Sequence, residues 1–69
     1  MQYNFNKEKE KIKLYCTDKE QNVDAEIISM SDKFMVVLIQ PGDIRLVLNK
    51  QKPGMYIGSI HGLEFVYNE

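Results

Sequence analysis

Apolar and polar residues alternate along most of this chain, and a two-residue period is typical of strands with one face in water. Residues 11–16 alternate strictly, and residues 23–30 do so until Ile28 interrupts the pattern. Residues 34–39, FMVVLI, are apolar at every position. Such a run predicts a central strand, covered on one face by the core and on the other by a neighbouring element or subunit. The pattern as a whole predicts a mainly β protein.

Turn sequences separate the predicted strands. Residues 17–22 and 31–33 are polar, whereas 41–43 and 50–54 contain the proline and glycine residues that favour reversal of the chain. A fourth strand is predicted between these last two turns. The turns are short, so consecutive strands are expected to be neighbours in one small sheet.

The end of the chain contains one interrupted strand or two short ones. A strand predicted from Met55 is broken at His61 and Gly62, after which the alternation resumes. We predict a single domain, residues 1–69, folded as a small five-stranded barrel of the SH3-like, Sm-like or OB kind, or six-stranded if the break counts as a turn. Residues 3–10 are predicted to add a short helical turn.

Net charge and composition limit the classes of function that the chain can have. The 69 residues carry a net charge of −1, which excludes blanket binding to nucleic-acid phosphates but is compatible with contact to a few nucleotides. No apolar run is long enough to cross a bilayer, and the chain becomes charged soon after its start. We therefore expect a cytoplasmic protein without a membrane anchor. Cys16 is the only cysteine, so we expect a small buried apolar residue and no internal disulfide.

Catalytic motifs are not evident in the sequence. One histidine and one cysteine occur, without a nucleophile elbow, a phosphate-binding loop or the ligand spacing of a metal site. We expect a binding protein and not an enzyme, with no metal and no cofactor.

Two segments resemble the Sm-like family, which includes the bacterial Sm-like RNA chaperone. IISMSDKFMVVLI, residues 27–39, resembles the first conserved segment of the family, and SIHGLEFVY, residues 59–67, resembles the second. Their order and approximate separation match. Residues 7–28 resemble the start of the bacterial protein, in which a short helix leads into a first strand of alternating basic and apolar residues ending in tyrosine.

The resemblance implies a ring of identical subunits that binds single-stranded RNA at a central pore. Phe34 corresponds to the residue on which a base stacks, Asp32 to the loop aspartate, and His61 to the basic residue facing the pore. Stacking of a base on an aromatic ring is worth about 1–3 kcal/mol. The resemblance also implies assembly by pairing of edge strands, the fourth of one copy with the fifth of the next.

The sequence departs from the family pattern at three positions. Ala25 replaces a glycine at which the second strand bends, Val36 replaces the asparagine of eukaryotic and archaeal members, and Ile60 replaces the lysine of the bacterial proteins. These differences imply weaker affinity for RNA at a pore.

Each proposed site residue also has a purely structural interpretation. The sequence favours Phe34 as a core aromatic, Asp32 as a turn residue, and His61 as a surface or turn histidine. The alternative function is a small protein-interaction barrel, an adaptor or inhibitor, whose acidic residues meet a basic protein partner. Those acidic residues are Asp18, Glu20, Asp24 and Glu26.

Overall fold

The computed structural model describes residues 10–69 as six antiparallel strands that close into a barrel. Each strand pairs with the next along the chain, and the first pairs with the last. The predicted helical turn at residues 3–10 lies outside the described residues, except for Glu10. The strands are β1 (Lys11–Cys16), β2 (Gln21–Met30), β3 (Phe34–Ile39), β4 (Ile44–Lys52), β5 (Met55–Ile60) and β6 (Leu63–Asn68).

The mainly β small barrel is confirmed, but the predicted count of five strands is wrong. His61 and Gly62 are the two central residues of a tight hairpin turn between β5 and β6, with φ angles of 55° and 76°. Two-residue turns with positive φ at both positions match the twist of the strands that they join. The break in the sequence pattern is therefore a complete reversal of the chain, which yields a sixth strand.

Two strands are longer than predicted. β2 begins at Gln21, so the first turn shortens to residues 17–20, and β4 extends to Lys52. Both extensions consist of exposed polar residues, and all of them except Gln51, which lies at a register shift, pair across the ladder. Hydrophobic alternation does not detect such residues, because their contribution is backbone hydrogen bonding. The described part of the chain contains no helix that could cross a membrane.

Side chains that point into the barrel form one hydrophobic core. The interruption at Ile28 is a β-bulge in β2, between Ile27 and Ser29, where the pairing with β3 shifts. Cys16 is buried, as predicted. The most deeply buried side chains are Leu14, Cys16, Ile27, Met35, Val37 and Leu48.

The barrel is closed between β1 and β6 by a short ladder and a cluster of polar contacts. Tyr15 pairs with Val66, and beyond that ladder the Thr17 N–H donates to the Glu64 carbonyl oxygen at 3.0 Å. The Thr17 hydroxyl donates to the Glu64 carboxylate at 2.9 Å, and the Glu64 N–H donates to the Asp18 carboxylate at 2.8 Å. The first turn is thereby fixed to the last strand.

Successive hairpin turns lie at alternating ends of the barrel, because every pair of consecutive strands is antiparallel. The turns at residues 17–20, 40–43 and 61–62 share one end, which we name the three-turn end. The turns at residues 31–33 and 53–54 share the other, the two-turn end. This division decides which candidate residues can act together.

Candidate nucleic-acid interface

Phe34 is an exposed aromatic residue at the two-turn end. It is the first residue of β3, its exposed fraction is 41%, and it is not part of the core cluster. Asn49 of β4 lies directly opposite. The interpretation of Phe34 as a core aromatic is therefore excluded, and its ring is available to a ligand.

Ser31 fixes the corner that precedes Phe34. Its hydroxyl oxygen accepts hydrogen bonds from the Lys33 N–H at 3.3 Å and the Phe34 N–H at 3.2 Å, and its own N–H donates to the Phe34 carbonyl oxygen at 2.9 Å. Asp32 lies at the tip of this corner, exposed, and its carboxylate has no hydrogen-bond partner among residues 10–69. The corner therefore presents an unpaired carboxylate two residues from the exposed ring.

Two lysines lie across from each other one position before Phe34, where alternation directs their side chains to the face opposite its ring. The Lys50 N–H donates to the Lys33 carbonyl oxygen at 2.8 Å, which extends the β3–β4 ladder one position past Phe34 and Asn49. Both lysines are exposed. Like charges opposite each other across a ladder are unfavourable, so an anion bound here would relieve their repulsion. Lys52, also exposed, follows at the end of β4.

His61 is separated from the other two predicted site residues. It is exposed in the turn between β5 and β6 at the three-turn end, whereas Asp32 and Phe34 are at the two-turn end. The structure therefore brings Asp32 and Phe34 together and does not add His61 to them within one chain. The positive φ of His61 gives it a structural task in the hairpin turn, since histidine is among the residues that tolerate this conformation.

Two of the four acidic residues of the alternative function are engaged within the barrel. The Asp24 carboxylate accepts a hydrogen bond from the Lys13 ammonium at 2.6 Å, and Glu26 lies directly opposite Lys11 on the same hairpin. Asp18 accepts the N–H of Glu64 described above. Asp24 is therefore compensated by a lysine and Asp18 by a backbone donor, whereas Glu20 and Glu26 make no ion pair or side-chain hydrogen bond within residues 10–69.

The described residues form a cavity at β1 and β2 whose lining includes the Lys13–Asp24 ion pair. Among residues 10–69, no three histidine, cysteine, aspartate or glutamate side chains are close enough together to hold a metal ion. The cavity, of about 410 Å³, opens on the outside of β1 and β2, between the Lys11–Glu26 and Lys13–Asp24 pairs. Exposed groups without a side-chain partner among residues 10–69 occur instead at the two-turn end, at Asp32, Lys33 and Lys50.

Sequence analysis identified Phe34 and Asp32 but not the lysines beside them. The sequence pattern places Lys50 in the turn at residues 50–54, and no feature of the sequence around it indicates that it lies next to Lys33. Their proximity depends on the register of β3 against β4, which an unbroken apolar strand such as β3 does not specify from sequence alone.

No protein family, curated protein or solved structure matches this chain. Its functional assignment therefore rests on the geometry of the barrel.

Proposed function

We propose that this barrel binds single-stranded RNA at the surface formed by Phe34, Lys33 and Lys50. The observation that carries the proposal is that an exposed aromatic ring and two uncompensated lysines lie at the same end of the barrel, on opposite faces of the β3–β4 hairpin. Single-stranded nucleic acids expose the faces of their bases and carry a phosphate at every nucleotide. Aromatic side chains and cationic groups together are the common means of binding them.

Each group at the two-turn end has a role in the proposed complex. A base stacks on the Phe34 ring, and the adjoining phosphates lie near Lys33 and Lys50. The Asp32 carboxylate accepts a hydrogen bond from an amino group on a base edge, and the Asn49 amide both donates and accepts. The small number of cations is consistent with a net charge of −1, because only a few phosphates are contacted.

The Sm-like resemblance supports the same stacking role and adds ring assembly to the proposal. β4 already pairs with β5 of its own chain through Asn49, Lys50 and Lys52. Within the described residues, positions 44–48 of β4 have no ladder partner in β5, but Gly58 of β5 lies against Val47, so a contact between copies would use positions 44–46. His61 would reach a base stacked on Phe34 only from a neighbouring copy that presents its three-turn end.

Fluorescence anisotropy with a short, unstructured, labelled RNA tests the proposal. Loss of one stacked base corresponds to about 1–3 kcal/mol, so Phe34→Ala is expected to weaken affinity by about 5-fold to 150-fold. The matched control is Tyr15→Ala, since Tyr15 is an aromatic residue of similar exposure, 42%, but lies on β1 at the three-turn end.

The control variant is expected to bind as the wild type does, and circular dichroism should show that both variants are folded. Equal affinity of Phe34→Ala and the wild type would remove the stacking role. Failure of the wild type to bind any single-stranded RNA would refute the proposed function.

A further inference from the structure

We infer that the RNA-binding surface continues from Phe34 along the outer face of β3 and β4 to Arg45, which forms a second contact with the RNA backbone. The inference rests on the proposed function and specifies its ligand: an oligonucleotide long enough to reach both ends of this hairpin. A ligand that occupies only the Phe34 end would leave Arg45 unused.

The register of β3 and β4 defines this outer surface. Residues directly opposite each other in an antiparallel pair point to the same face of the sheet. Phe34 and the alternate residues after it on β3 point outward, because Met35, Val37 and Ile39 belong to the core. The outward cross-strand pairs are Phe34 with Asn49, Val36 with Val47, and Leu38 with Arg45.

Val36 and Val47 form an apolar stretch between the two ends of the proposed surface. Val36 is only 5% exposed although it is not part of the inner core cluster, and Val47, across from it, is 44% exposed. The middle of the surface is therefore apolar and accessible at Val47. Such a stretch offers van der Waals contact to a base or ribose without competing for its hydrogen bonds.

Arg45 is the only arginine in the chain. It is exposed, lies across from Leu38, and has no ion-pair partner within residues 10–69. Glu26 faces Leu38 from the opposite strand, but it also lies across from Lys11. Guanidinium groups bind phosphate oxygens in a bidentate manner and stack on bases, so a free Arg45 beside an apolar stretch is suited to an RNA strand.

The length of the surface fixes the size of the ligand. Asn49, opposite Phe34, is four residues from Arg45, and an antiparallel strand rises about 3.4 Å per residue. The two ends are therefore about 14 Å apart along β4. A single nucleotide stacked on Phe34 does not extend that far, whereas an extended oligonucleotide does.

The salt dependence of binding tests the role of Arg45. For single strands, the logarithm of the association constant changes with the logarithm of salt concentration by about −0.7 for each neutralised phosphate. Arg45→Ala is expected to reduce that slope by about 0.7 for an oligonucleotide, and to weaken its affinity. Arg45→Lys should retain the slope. Phe34→Ala should weaken affinity without changing the slope, because stacking releases no counterions.

Lys19→Ala is the matched control, because it removes one positive charge from an exposed residue of the β1–β2 turn, which is not part of the β3–β4 surface. It is expected to leave both slope and affinity at the wild-type values. A dinucleotide, which is too short to span the hairpin, should bind wild type and Arg45→Ala equally.

Failure of the inference is distinguishable from failure of the proposed function. If Arg45→Ala and Lys19→Ala give the same slope and affinity while Phe34→Ala still weakens binding, the inference is overturned and the RNA site remains at Phe34. If Phe34→Ala binds as the wild type does, the proposed function itself is refuted.

Discussion

Replacement of Gly58 by alanine tests the close approach of β5 to β4. Gly58 is buried in β5, and a Cβ atom added there would lie 2.3 Å from the Val47 carbonyl oxygen and 3.0 Å from Cδ2 of Leu48. The leucine methyl group can rotate away, but the carbonyl belongs to the backbone of β4. Alanine is therefore accommodated only if the two strands separate.

Two opposing effects determine the size of the change. Without a clash, glycine-to-alanine replacement stabilises a protein by about 0.4–1 kcal/mol, since it restricts the unfolded chain. Inserting a methyl group where none fits costs about 1–3 kcal/mol, occasionally more. Because the clash involves backbone, we expect the cost to dominate, with a net loss of about 1–3 kcal/mol in the free energy of unfolding. In a domain of this size the midpoint temperature falls by about 4–8 °C per kcal/mol.

Urea and thermal denaturation, followed by circular dichroism, measure this change. Ser59→Ala is the control, because Ser59 is the next residue of β5 and is exposed. It is expected to change stability by less than about 0.5 kcal/mol. A Gly58→Ala variant as stable as the wild type, or more stable, would show that the two strands do not approach as closely as described.

Three further outcomes follow from the same structure. Asp18→Ala removes the acceptor for the Glu64 N–H and should lower the free energy of unfolding by about 1 kcal/mol, with much of it restored in Asp18→Asn, as urea denaturation would measure. Burial, and next the Glu10 carboxylate, hold the pKa of Tyr67 above its ordinary value of about 10. As pH rises, the unfolded chain therefore loses the Tyr67 phenol proton before the folded protein does, so the free energy of unfolding should be constant below pH about 10 and decline above it. Urea denaturation at alkaline pH should show a smaller decline in Tyr67→Phe. Buried Cys16 should react with a thiol reagent only at the rate of opening or unfolding, and rapid reaction in the native protein would contradict the packing of β1.

Much of the barrel could be predicted because its core strands alternate regularly. Residues 11–16 and 34–39 were predicted with the boundaries that the structure shows, and the irregularity at Ile28 is a bulge. The wrong strand count and the strands predicted too short occur where backbone conformation and backbone hydrogen bonds, and not hydrophobic side chains, determine the structure. His61 and Gly62 interrupt an alternating stretch, and from the sequence this interruption is compatible with a bend within one strand or with a turn between two. The structure shows a turn, in which both residues have positive φ angles.

The candidate site could be predicted only in part. Phe34 begins an entirely apolar run, so its sequence context does not distinguish an exposed ring from a buried one, and the two alternatives stayed open until its position in β3 was known. The pairing of Lys33 with Lys50 and the separation of His61 from Asp32 are consequences of register and topology. Neither property is local to any segment of the chain.

The most direct test of the account is to map where RNA binds by recording backbone amide NMR spectra during titration with a short single-stranded RNA. The account predicts that the largest shift changes occur at the two-turn end, at Lys33, Phe34, Asn49 and Lys50, with the turn containing His61 unaffected in the monomer. Changes concentrated at the three-turn end, or no changes at saturating RNA, would contradict it.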